Sequence, residues 1–216
     1  IGSENINKYW LILGRPLSGY MISIFYSFGN IFFRLITFFL IFINAIFLDK
    51  ILKRIKIINE NNRFIICIVF LIFPFYLSRI TVICFPYTLC TFLFFLSWYL
   101  IPKNKLTSLL LFFISFSTNS LLVFYALPVI EIFCAKYKLN KNSIIKYIQN
   151  NLAFLILPFL YYFLKLFFFR PYGYYQNYNE NFNLRYLLIT PLYQISDAIN
   201  FKSSLILFIP IIVLIF

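Results

Sequence analysis

The chain has 216 residues, 62% of them hydrophobic and 12% charged, against about 45–50% and about 25% in a soluble domain. That apolar excess cannot be hidden in one globular core, which excludes an ordinary soluble domain and leaves lipid as the solvent. The formal charge is +13, but the cations gather in short stretches between apolar runs, the positive-inside pattern of a membrane protein and not a nucleic-acid surface.

A spanning helix needs about 20 mostly apolar residues. The first apolar stretch, 17–48, has 32, too many for one ordinary crossing. Gly29-Asn30 divides it, predicting an interfacial helix over 17–28 and a first span over 31–48. Pro16 suits the first turn of the interfacial helix, where its missing N–H has no partner to lose. Residues 49–63 carry five cations and two acids and read as a water-facing loop. A second span is expected over 64–77, kinked at Pro74, and a third over 84–101, ending in Trp98-Tyr99 at interfacial depth.

Residues 106–134 are too long for one helix and carry "SFSTNS" (115–120) in their middle, which predicts a helical hairpin. Charge parity requires it. The stretch 136–151 has four cations and no acid, and only a hairpin keeps it on the same side as 49–63 and 102–105. The short arms imply local bilayer thinning or a water-filled cleft near Asn119. Another span is expected over 152–169, then an outer loop over 170–204 with six tyrosines, then the start of a further span over 205–216. The expected fold is all-α: a polytopic integral membrane helical bundle, one transmembrane domain over 1–216 with about seven crossings. Residues 1–30 form an outer loop and outer-face interfacial helix. The start at Ile1 and the end inside an apolar run predict a fragment.

The chain has no His, which removes His-based triads, metal sites and proton relays. Cys67, Cys84, Cys90 and Cys134 lie in apolar runs without a CxxC spacing and read as small buried hydrophobes. No metal ligands are assigned. Arg15, at the N-terminal end of the interfacial helix, has the chemistry of a phosphate ligand, since free backbone N–H groups and a guanidinium favour an anion there; a snorkelling anchor on membrane lipids is the alternative. Lys8 and Arg79 are candidate helpers in holding a donor phosphate. Glu131 reads as structural, near the inner interface, and Asn44 and Lys165 as helix packing and snorkelling. Tyr172, Tyr174 and Tyr175, with Tyr178, have the stacking and hydrogen-bonding character of a sugar site, or of an interfacial aromatic belt.

The segment W-x-x-x-GRPL, Trp10 to Leu17, followed by a semi-apolar helix and a long span, resembles the first outer-leaflet loop of bacterial GT-C-type membrane glycosyltransferases. It is most similar to polytopic relatives of the O-antigen glucosyltransferases. The hairpin 109–133 resembles that family's short polar-tipped helix pair, with Thr118-Asn119 where members often carry Tyr-Gln. The likeness covers about residues 7–48 and 84–135. It implies a polyprenyl-phosphate sugar as donor, a cell-envelope glycan or lipid as acceptor, and a location in the bacterial inner membrane. It also implies an aspartate pair upstream of the GRP segment, one carboxylate acting as general base. Glu4, the one acid before Arg15, is the catalytic candidate within the chain, as a positioning or metal-facing carboxylate, with a solvated loop acid as the alternative. The main carboxylate is expected upstream of Ile1. Asn119 and the tyrosines would then face the sugar or acceptor. No cofactor is assigned, and a divalent cation stays open. A transporter or flippase of a lipid-linked or small hydrophilic substrate is the alternative from another class. An O-antigen-polymerase-like protein using Arg170 and Arg185 is a third reading. Topology is checked by Ser143→Cys in a background without the native cysteines. The label should react only from the cytoplasmic side, and reaction from outside would remove the hairpin.

Overall fold

A helix bathed in lipid inverts the usual amphipathic pattern, keeping its small polar groups inside and its large apolar groups outside. Helix α3 (Gly29–Arg54) has this pattern in the computed structural model, which describes residues 3–26, 28–55, 58–72, 84–137 and 140–176. Its buried stripe is Phe33, Thr37, Leu40 and Asn44, at helical spacing, while Phe38, Phe39, Phe42 and Ile46 are exposed. The chain divides into two compact units, residues 1–174 and 175–216, and of the second only Tyr175 and Gln176 are described.

All regular structure among the described residues is helical. Before α3 come α1 (Ser3–Ile12) and α2 (Pro16–Tyr26). After it come α4 (Glu60–Ile72), α5 (Phe85–Leu100), α6 (Lys105–Ser115), α7 (Ser120–Phe124), α8 (Ala126–Lys136) and α9 (Lys141–Phe168), then a 3-10 turn at Gly173–Tyr175. Among the described residues, α3 and α9 are long and apolar enough to cross a membrane. Only 28% and 17% of their most apolar windows are buried, so neither resembles the core helix of a soluble protein.

The structure departs from the sequence reading at several boundaries. Helix α1 falls in a stretch expected as loop; it forms by packing Trp10 against α2, where Gly19 lets the helices approach closely. Helix α3 runs on into the basic stretch as far as Arg54, because Leu, Lys and Arg are good helix formers and cations suit a helix C-terminus. Helix α9 starts at Lys141, 11 residues before the expected 152. Its first turn is capped by Asn140, whose side chain accepts a hydrogen bond from the Ser143 N–H at 2.8 Å. The helix kinks at Asn151, where the span was expected to begin. Of the four cysteines, Cys90 is buried, Cys67 and Cys84 are half-buried and Cys134 is exposed. Pro74, Arg79 and everything after residue 176 lie outside the described residues.

Helices α5 and α6 pack antiparallel through small residues. Ser97 Oγ donates to the Ser108 carbonyl at 2.5 Å and Ser108 Oγ to the Ser97 carbonyl at 3.0 Å, with both residues fully buried. Phe94 packs on Phe112 one turn along, and Cys90 Sγ lies 3.0 Å from Ser117 Oγ at the far end. The backbone leaves helix geometry at 116–119, within the stretch expected as the hairpin tip. Helices α7 and α8 return, Tyr125 stacking edge-on against Phe112 and Phe116. Pro158 of α9 has no N–H for the Phe154 carbonyl four residues earlier. Tyr125 Oη takes that carbonyl instead, at 2.9 Å, pinning the returning arm to α9.

The last turns of α3 and α5 meet the middle of α8 at one end of the bundle. Arg54 Nη2 lies 3.3 Å from Glu131 Oε2 and donates to the Trp98 carbonyl at 3.1 Å, while Trp98 Nε1 also donates to Glu131. Nearby, Lys103 and Lys50 flank the Tyr99 ring at 4.4 and 5.5 Å. Lys53, Lys103 and Lys105 lie at the neighbouring helix ends, and Glu131 reaches the ends of α3 and α5 from within α8. Glu131→Ala should destabilise the protein by about 1–3 kcal/mol, because Arg54 and Trp98 lose their shared acceptor in a partly buried site. Glu131→Gln should cost less, as thermal unfolding in detergent would measure.

Candidate functional site

The opposite end of the bundle is built on the Gly14-Arg15-Pro16 turn. Gly14 has φ +69°, the left-handed conformation that ends a helix at little cost only for glycine. Its N–H donates to the Leu11 carbonyl at 2.9 Å and the Arg15 N–H to the Trp10 carbonyl at 2.8 Å, closing the end of α1. Pro16 then opens α2 at the position where no N–H is needed. The GRP segment is thus a helix–turn–helix joint, and Arg15 is the residue at its corner.

A cleft of about 360 Å³ opens beside this corner. Leu17, Phe113, Leu164, Phe168 and Phe169 give it apolar walls, and Arg15, Ser117, Tyr161 and Lys165 also line it, almost wholly through apolar atoms. Arg15 Nη1 donates to Tyr87 Oη at 3.0 Å, and Lys165 Nζ donates to Asn119 Oδ1 at 2.9 Å. Both cations are oriented by neutral oxygens. Among the described residues no carboxylate lies within ion-pair distance of either, and none lines the cleft. Two like charges bordering low-dielectric surroundings repel each other, and an anion bound by both relieves that repulsion. The chemistry suits a ligand with an anionic head and an apolar body.

The sequence candidates divide accordingly. Arg15 lines the cleft and Asn119 positions its second cation. Glu4 and Lys8 are exposed on α1 and do not line it. Tyr172 and Tyr174 are exposed in the segment after α9, where the Tyr172 N–H donates to the Ile12 carbonyl at 3.1 Å; Tyr175 belongs to the second unit and is half-buried. Arg79 lies outside the described residues. Among the described residues no three His, Cys, Asp or Glu side chains are grouped to hold a metal ion. Lys165, Ser117 and Tyr161 line the cleft, and Tyr87 holds Arg15, without any of them having been assigned to a site from the sequence. A lysine isolated in an apolar span was the one signal, and it pointed equally to snorkelling.

No family model matches the chain, and no curated protein or solved structure matches it.

Gly14 also sets the cleft's dimensions. A side chain there would collide with the Phe169 carbonyl and crowd Pro171, besides straining the left-handed turn. Gly14→Ala should therefore destabilise the protein by at least about 1 kcal/mol and push residues 169–172 away from α1. The checks are thermal unfolding and faster amide exchange at Tyr172.

Proposed function

We propose that this is a multi-pass membrane protein of the bacterial inner membrane that binds the phosphate of a polyprenyl-phosphate sugar in the Arg15–Lys165 cleft. It would transfer the sugar to a cell-envelope glycan or lipid on the outer face. The observation that carries the reading is the meeting of Arg15 and Lys165 on one apolar-walled cleft, at the end of the bundle away from the Arg54–Glu131 cluster and its basic loops. By the positive-inside rule the basic end is cytoplasmic, so the cleft faces the outer leaflet.

Helix lengths support this placement. At about 1.5 Å per residue, α5 and α6 rise about 24 Å and about 16 Å, less than the hydrocarbon thickness of about 30 Å. The hairpin therefore stops inside the membrane. Non-helical backbone at that depth is tolerated only where protein covers it or a polar cavity meets it. Ser117 and Thr118 are buried at the tip, and Ser117 and the Asn119-bound Lys165 face the cleft.

A lipid phosphate is already a good leaving group, so the protein has two tasks: to neutralise its charge and to remove the acceptor's proton. Arg15, fixed by Tyr87, and Lys165, fixed by Asn119, perform the first. For the second, the resemblance to GT-C-type enzymes implies a carboxylate upstream of Ile1. One observation favours a second reading, carriage of a lipid-linked substrate without transfer: no carboxylate lines the cleft among the described residues.

Arg15→Ala should lower sugar transfer from a polyprenyl-phosphate donor by about 100-fold in a membrane assay, the usual loss when one fixed donor to a developing anion is removed. Arg15→Lys should keep part of the activity, and membrane insertion should be unchanged. Undiminished transfer by Arg15→Ala would overturn the reading; donor binding without transfer by the intact protein would favour carriage.

A further inference from the structure

The charge count of the cleft specifies more than a lipid phosphate. We infer that Lys165 makes the cleft selective for a lipid phosphate monoester over a phosphodiester, so that the bare lipid phosphate, and not the sugar-bearing lipid, is its tighter ligand. The inference rests on the reading of the cleft as a lipid-phosphate site.

Arg15 and Lys165 come from elements far apart in sequence, the α1–α2 corner and the last turn of α9, and both line the cleft. Each side chain is held by a neutral acceptor, Tyr87 Oη or Asn119 Oδ1, which orients the cation without cancelling its charge. No carboxylate is among the described lining residues, and two cationic residues border one apolar-walled space. One cation matches a phosphodiester, which carries a single negative charge and has two non-bridging oxygens. Two cations match a monoester, which has three non-bridging oxygens and carries about −1.5 to −2 at pH 7. The donor inventory agrees, since a guanidinium and an ammonium together offer more N–H groups than two oxygens can accept. In a site walled by Leu17, Phe113, Leu164, Phe168 and Phe169 the unmatched charge is weakly screened, so an extra unit of ligand charge counts for more than it would in water. The same walls distinguish a lipid from free phosphate, because inorganic phosphate leaves them uncovered. Asn119 is the positioning residue: it ties the Lys165 ammonium to the hairpin tip and keeps it from extending toward the membrane surface.

The test is equilibrium binding to the purified full chain in detergent, by titration calorimetry, with farnesyl monophosphate, its monomethyl phosphodiester, farnesol and inorganic phosphate. The intact protein should bind the monoester about tenfold more tightly than the diester, with farnesol and inorganic phosphate far weaker. Lys165→Met should bring the monoester-to-diester ratio close to one while diester binding persists, and Lys165→Arg should restore the ratio. A merely structural role for Lys165 would lower both affinities together and leave the ratio in place, which would overturn the inference. Equal affinities in the intact protein would overturn it as well. Inorganic phosphate binding as tightly as the farnesyl monoester would overturn the lipid assignment. Binding of neither lipid would remove the underlying reading of the cleft.

Discussion

The reciprocal hydrogen bonds between Ser97 and Ser108 are the contact on which the rest of the bundle depends. Only side chains this small let two helix backbones come close enough for each hydroxyl to reach the other's carbonyl. That contact fixes α6 antiparallel to α5, and the register then follows: Phe94 against Phe112, and Cys90 against Ser117. With Ser117 fixed, the bend at 116–119 has one place to be. The returning arm brings Tyr125 to α9 and Glu131 to Trp98. Apart from the Phe94–Phe112 ring contact, each step pairs a polar group within the bundle.

The cleft is where two such chains of constraint arrive together. From one side comes the α1–α2 corner, its Arg15 held against Tyr87. From the other comes the end of α9, its Lys165 held by Asn119. The Tyr172 N–H to Ile12 carbonyl bond ties the two approaches. The short GRP segment is first of all a way to turn a helix. The same turn sets its arginine against Tyr87 and on the cleft that Lys165 also lines.

Much of the helical layout was legible in sequence because hydrophobic runs and their breakers are local signals. Gly29-Asn30 marks the break before α3, the polar run 115–120 marks the hairpin tip, and Pro16 marks the first turn of α2. Helix α1 was not legible, since a stretch as polar as "SENINKYW" becomes helical by docking Trp10 on α2, a tertiary effect. The ends of α3 and α9 were misjudged because apolar content shows where lipid begins, not where a helix stops. The cleft was half legible. Arg15 stands out beside its proline, whereas the one mark of Lys165, a lysine in an apolar run, reads as snorkelling, and its partner Asn119 lies far away along the chain.

The Arg54–Trp98–Glu131 cluster has a consequence for how the molecule is made. Translation runs from the N-terminus, so the guanidinium of Arg54 and the indole of Trp98 have left the ribosome before Glu131 appears. The lone acid of the returning arm thus emerges with both of its partners already made, and the cluster can close as soon as that arm folds back.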